Sequence, residues 1–131
     1  MKKFVLLFTC MFITVFVFAQ TNFQELTLAK ALEKAKIENK YVFVDCYTSW
    51  CGPCKMMAAD ILPLKEVGEY MNATFVSVKF DMEKGEGRDI QQKYKVSSYP
   101  TFLVLNVDGS LLHAVVGASA TGEEFLSLIH I

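Results

Sequence analysis

The sequence has almost no excess charge of either sign. Lys and Arg number 13 against 14 Asp and Glu, a net charge of -1, which excludes the broad basic field that nucleic acid or an anionic lipid surface would select. Charge of any kind is sparse, 21% of residues against 53% hydrophobic, and this excludes a solvated disordered tail or low-complexity linker. No apolar run reaches the ~20 residues that span a bilayer, no internal repeat is visible, and 131 residues are too few for two packed domains. What remains is a chain able to bury one real core.

The apolar residues are unevenly placed. Met1-Lys2-Lys3 is followed by an apolar stretch from Phe4 to Phe18, then by Ala19-Gln20, with Val17 and Ala19 as the small residues before a cleavage point. Residues 1–19 read as a secretory signal peptide, with an uncleaved membrane anchor as the alternative, and 20–131 as the mature domain. Cys10 lies mid-run after Leu7-Phe8-Thr9, without the small residues a lipid anchor would want, and reads as a small apolar residue of the leader. The mean hydropathy of +0.31 is inflated by this leader, and loss of Lys2 and Lys3 leaves the domain mildly acidic. Export places the remaining Cys46, Cys51 and Cys54 where disulfides persist. Their odd number argues against a purely structural disulfide framework.

Along the mature chain, Thr27 caps a helix over Leu28 to Glu38, where Leu28, Ala31, Leu32 and Ala35 recur at helical spacing. Tyr41 to Tyr47 is apolar on both faces, as a central strand covered on both sides should be, and Asp45 is its one charge. A helix is expected from Cys51 to Leu62, ended by Pro63, and a second from Leu64 to Met71. Phe75 to Phe80 reads as a strand, Glu83 to Gly87 as a loop and Arg88 to Tyr94 as a short helix. Thr101 to Val107 and Leu111 to Val116 form a hairpin about Asp108-Gly109. Thr121 caps a last helix over Glu123 to Ile129. The first two strands, joined through a helix, should be parallel with a right-handed crossover. The expected fold class is α/β, a three-layer α/β/α domain around a mixed sheet of about four strands.

The chemistry is concentrated in Trp50-Cys51-Gly52-Pro53-Cys54-Lys55. A Cys-x-x-Cys at a strand-to-helix junction puts the first sulfur at the helix N-terminus, where free N–H groups and the macrodipole favour a thiolate. Cys54, one turn on, can close a disulfide with Cys51 by attacking a mixed disulfide, and Pro53 fits a first turn that needs no donor. The bland alternatives are an inert disulfide or half a zinc site. Zinc wants about four ligands, and beyond Cys46 only His113 and His130 are on offer, both expected as solvated surface residues. Met56, Met57, Met71 and Met82 read as core filler, not a copper site.

This hexapeptide resembles the active-site motif of the thioredoxin family. The similarity continues in Val44-Asp45, like the family's strand with its buried acid, in Tyr99-Pro100-Thr101, like its cis-proline loop, in Val116-Gly117-Ala118, like the glycine after its last strand, and in Lys79, like its buried lysine beside the acid. It covers about Tyr41 to Leu128. A thioredoxin-like fold is thus implied, with Cys51 and Cys54 as the redox pair, Asp45 as proton acceptor for Cys54, and Lys79 beside it. Trp50, Gly52, Pro53, Tyr99, Pro100 and Gly117 would line the substrate edge. Burial of Asp45 in an apolar strand suits that role, because it disfavours the charged form; the alternative is a strand-end acid facing solvent.

Several residues depart from the family pattern: Cys46 and Tyr47 replace its usual aromatics, Tyr99 its aliphatic before the proline, Ala59 its helix-kinking proline, and Glu83 to Arg88 is longer. These leave the chemistry intact and point to an exported relative. The implied activity is thiol-disulfide exchange on protein disulfides, as a periplasmic reductant or isomerase fed by a membrane thiol relay. The protein should act as a monomer, with no cofactor, metal or nucleic acid. The alternatives are a net oxidant and a client-binding module with incidental redox activity. Cys46 reads as a small buried hydrophobe.

Overall fold

The computed structural model describes residues 19–131; the expected leader, Cys10 included, lies outside them, apart from Ala19 at its end. The chain runs α1 (Leu28–Glu38), β1 (Tyr41–Tyr47), α2 (Gly52–Met56), a π-helical turn (Met57–Ile61), α3 (Lys65–Thr74), β2 (Phe75–Asp81), α4 (Glu86–Tyr94), β3 (Thr101–Leu105), β4 (Leu111–Val116) and α5 (Gly122–Ile129). The sheet order is β2-β1-β3-β4, with β1 parallel to β2 and antiparallel to β3, and β4 antiparallel to β3. Among the described residues no helix is long and apolar enough to cross a membrane.

Strand β1 organises both cores, because its alternate side chains point to opposite faces. Val42, Val44 and Cys46 pack with Leu28, Ala31 and Ala35 of α1 and Ile90 of α4. Phe43 points the other way, among Met57, Ile61, Val67, Met71, Phe125 and Ile129. Its ring lies 5.5 Å from Phe102, 5.8 Å from Phe75, 6.2 Å from Phe23 and 6.3 Å from Phe125. Such aromatic pairs each add about 0.5–1.5 kcal/mol beyond the area they bury, so Phe43 fixes the height and tilt of β1 on this face.

Both threonine caps form, with Lys30 N–H on Thr27 Oγ1 at 3.2 Å and Glu124 N–H on Thr121 Oγ1 at 3.1 Å. Asn39 ends α1 in the left-handed region at φ 54°. The expected single helix from Cys51 to Leu62 is instead two pieces. After Met56 the ladder widens to a π turn, with Leu62 N–H on Met57 O at 2.9 Å. Pro63 has no N–H for the carbonyl of Ala59, so an α ladder could not continue there in any case. Helix α3 runs on to Thr74, past the expected Met71. Helix α4 starts at Glu86, two residues before the expected start, because Gly85 at φ 50° makes the turn that precedes it. Strand β3 stops at Leu105. Asn106 and Val107 belong to the turn instead, where Gly109 at φ 84° donates to Asn106 O.

Hydrophobic periodicity carries no sign of an N-terminal strap. Phe23 bridges Ser77 in parallel at the β2 edge. Thr21 N–H donates to Leu62 O at 3.1 Å, and Gln24 N–H to Ser77 O at 2.9 Å. Asn72 holds the strap from α3, accepting from Asn22 N–H and donating to Gln20 O. The strap covers backbone groups that an open edge strand would leave exposed.

Gly87 gives a direct test of this packing. A Cβ there would run into the carbonyl oxygen of Asp81 and lie 2.6 Å from its carbonyl carbon, and neither backbone atom can move aside as a side chain would. Gly87→Ala should lower unfolding free energy by about 1–3 kcal/mol, the usual range for overpacking, measured by urea denaturation; an unchanged midpoint would show that α4 can shift on β2.

Candidate dithiol active site

Strand β1 ends at Tyr47, and the turn through Thr48 and Ser49 delivers Trp50 and Cys51 to the start of α2. Cys51 is the N-cap residue: its backbone is extended, at φ -78° and ψ 108°, and its Sγ accepts the N–H of Cys54 at 3.1 Å. Pro53 occupies the first turn, where its missing donor costs nothing. The two sulfurs are joined as a disulfide, with Cα atoms 5.3 Å apart.

Exposure does not separate the two sulfurs. Both residues are buried in the disulfide form, Cys51 at 3% and Cys54 at 7% exposure. The asymmetry between them is electrostatic. Cys51 Sγ is aimed at a donor N–H and sits at the positive end of the helix, so on reduction it is Cys51 whose anion is stabilised.

Asp45 lies on the same face of β1 as Phe43. Only 6% exposed, it has one oxygen, Oδ1, without a hydrogen-bond partner in the protein. Burial pushes its carboxyl from 3.8 to about 7, against the opposing pull of the Lys79 charge. It shares with Cys54 a cavity of about 190 Å³, also lined by Thr48, Lys55, Ala58 and Lys79. Lys79 stands opposite Asp45 in the β1–β2 register, but the expectation that it is buried fails. Its side chain is exposed, lying on the strap-covered face of β2 with its Nζ 5.6 Å over the Phe23 ring. Cys46 points into the opposite core as a buried free thiol. Burial, and then the neighbouring Asp45, push its thiol well above the ordinary range, which leaves it inert.

The other expected site residues collect around the sulfurs. The Tyr99–Pro100 peptide is cis, and Thr101 Oγ1 cinches that loop by donating to Ser98 O at 2.7 Å. Gly117, at φ 96°, donates its N–H to Pro100 O at 2.9 Å and so closes the β3–β4 end against the loop. Gly52 and Pro53 are exposed at the tip.

Two further residues were not legible in the sequence. Trp50, although 64% exposed, is held by its indole N–H on Glu83 Oε1 at 2.6 Å and stands edge-on to Tyr99 at 5.9 Å. Tyr99 in turn accepts at its hydroxyl from Gln91 Nε2 at 2.8 Å. Glu83 and Gln91 thus brace both aromatics beside the dithiol from the α4 side. In the sequence Glu83 is one acid in a polar loop and Gln91 one polar residue on a helix, and neither position carries a local pattern. The histidines are not solvent-only residues: His113 Nε2 lies 2.8 Å from Leu128 O, and His130 stacks on Tyr70.

A dithiol whose first sulfur is stabilised as an anion, with a buried acid raised to about 7 sharing a cavity with the second, can attack a disulfide and then resolve it. Known proteins of this kind match the chain closely. A family model described as a thioredoxin-like domain matches residues 28–130. Mitochondrial thioredoxin-3 of Saccharomyces cerevisiae is 34% identical over 104 residues, covering 79% of this chain and 76% of that protein. Thioredoxin-1 of the same yeast is 38% identical over 91 residues, 70% of this chain and 82% of its own. The solution structure of a candidate disulphide-isomerase from Bacteroides thetaiotaomicron superposes with a TM-score of 0.73 at 40% identity, covering 86% of this chain and 96% of that one. The chain therefore belongs to the thioredoxin family, and it is a thiol-disulfide oxidoreductase.

Proposed function

We propose that this protein is exported and works outside the cytosol as a monomeric reductant or isomerase of protein disulfides, re-reduced by a membrane thiol relay. The observation that carries the reading is the redox pair itself, Cys51 capping α2 and disulfide-linked to Cys54. The Gly52-Pro53 dipeptide supports the reducing direction, since it resembles that of reducing thioredoxins. The likeness to the candidate disulphide-isomerase supports isomerisation. Cys51 attacks the substrate disulfide and forms a mixed disulfide. Asp45 takes the proton of Cys54, whose thiolate then displaces the substrate sulfur. Trp50, Tyr99, Pro100 and Gly117 form the edge along which an extended substrate lies.

Redox titration of Cys51 and Cys54 against glutathione buffers tests the direction. A potential near the thioredoxin value of about -270 mV supports a reductant, and one near the about -120 mV of strong periplasmic oxidants refutes it. In the same assay Cys51→Ser should lose all reaction with substrate disulfides, while Cys54→Ser should accumulate a mixed disulfide through Cys51. Reductase activity retained by Cys51→Ser would overturn the assignment of the nucleophile.

The buried acid also makes stability depend on pH. With its carboxyl raised from 3.8 to about 7 in the fold, Asp45 binds a proton that the unfolded chain gives up. Its contribution is full below pH 3.8 and is lost as pH rises through 7. Asp45→Asn removes that loss, so the variant should be more stable than the parent above pH 7, by up to about 4 kcal/mol at 1.36 kcal/mol per unit. The same variant should turn over disulfides more slowly. Denaturation curves at pH 5 and pH 9 with a constant difference between the two proteins would sink the assignment.

Export has its own check. The intact mass of protein from the native host should correspond to a chain beginning at Gln20; a mass that includes Met1 to Ala19 would indicate an anchor.

A further inference from the structure

A second cavity lies behind the dithiol, beneath the N-terminal strap. It measures about 290 Å³ and is lined by Thr21, Phe23, Asp45, Ala58, Leu62 and Lys79, among others. Asp45, Ala58 and Lys79 also line the cavity that reaches Cys54, so the buried carboxyl borders both spaces. Thr21 is only 7% exposed and its Oγ1 has no partner in the protein, the same condition as Asp45 Oδ1. At ~30 Å³ of liquid volume per molecule, with polar groups on its walls, the outer cavity has room for several waters. The Thr21 hydroxyl is offered there by a backbone that does not depend on the side chain, since Thr21 N–H is fixed on Leu62 O.

We propose that Thr21 is a positioning residue for proton release: its hydroxyl orders water in the outer cavity, through which Asp45 passes to solvent the proton it takes from Cys54. The inference rests on Asp45 as the proton acceptor. In the resolving step Cys54 S–H gives its proton to the Asp45 carboxylate, the Cys54–Cys51 bond forms, the Cys51–substrate bond breaks, and the substrate sulfur leaves as a thiolate. The carboxyl then gives its proton to cavity water and is ready for the next cycle. Release on the strap side keeps this transfer away from the substrate edge. The titratable groups around Asp45 are Lys79 from β2, Cys54 and Lys55 from α2, and Tyr47 on its own face of β1, while Cys46 is its chain neighbour and points into the opposite core. Strand β3 presents Phe102 opposite it; the strap has no ionisable side chain in Gln20 to Phe23, but Gln20 also lines the outer cavity, and in a chain beginning at Gln20 its α-amino group adds a titratable charge there.

The test compares Thr21→Val, which keeps the shape and loses the hydroxyl, with Thr21→Ser, which restores the hydroxyl. Both are made in the full chain, and an Asp45→Asn variant is run beside them. Ordered water on a carboxylate favours its charged form, so Thr21→Val should raise the Asp45 titration midpoint, read by carboxyl infrared absorption, by about half a unit to one unit. Turnover of a protein disulfide at pH 7 should fall about threefold to tenfold, with KM unchanged, as expected of a partial loss of general-base function. Thr21→Ser should return both values to those of the parent. Unchanged midpoint and turnover in Thr21→Val, or equal impairment in the valine and serine variants, would overturn the inference. Slowed Asp45→Asn alongside unaltered Thr21→Val removes only the role of Thr21, whereas parental kinetics in Asp45→Asn removes the proton acceptor and this inference together.

Discussion

A carboxyl group held out of water in the middle of a sheet is the constraint on which the rest of this structure turns. Asp45 is buried with one oxygen unpartnered, an arrangement that opposes folding once the group ionises. It persists because the residues around it leave the strand no other position. Phe43, two residues earlier on the same face, is fixed by Phe23, Phe75, Phe102 and Phe125, and β1 is paired along its length on both sides. The aromatic cluster and the two ladders together outweigh the desolvation of one acid. What the protein gains is an acid that titrates close to neutral pH, where proton exchange with a thiol is most effective.

The parity of β1 decides which chemistry goes where. Asp45 faces α2 and the dithiol, and Cys46, the next residue, faces α1 and α4. A one-residue slip would exchange them, placing a thiol behind the active site and a carboxylate in the closed core. Register on both neighbours guards against that slip. The same alternation keeps the third cysteine away from the redox pair, which matters in a protein whose task is disulfide exchange.

Elements whose cause is local were legible in the sequence. Thr27 and Thr121 announce their helices, the apolar run from Tyr41 to Tyr47 announces a doubly covered strand, and the Cys51-to-Cys54 motif at its end announces the chemistry. What could not be read depends on partners far along the chain. Lys79 stands exposed against Phe23 of the strap, and the strap itself is held by Leu62, Asn72 and Ser77. The brace of Glu83 on Trp50 is of the same kind, since a hydrogen bond across 33 residues leaves no periodic trace. Resemblance to a family supplied the acid and the proline loop, but not the residues particular to this chain.

Those particular residues divide the surroundings of the dithiol into two sides with different demands. In front, Trp50 and Tyr99 stand braced beside the dithiol, with little side-chain freedom left to lose on any binding there. Behind, the two cavities that Asp45 borders are walled in part by a small residue. Ala58, in the π turn where the helix widens, lines both cavities, and a larger side chain at that position would intrude on the space around Asp45. A helix-kinking proline at the next position belongs to the thioredoxin pattern, and this chain has Ala59 there instead, with the π turn making the break in the α ladder. The break in the α ladder and a wall of both cavities thus fall within the same five residues, Met57–Ile61, with Ala58 as the one that lines the space around Asp45.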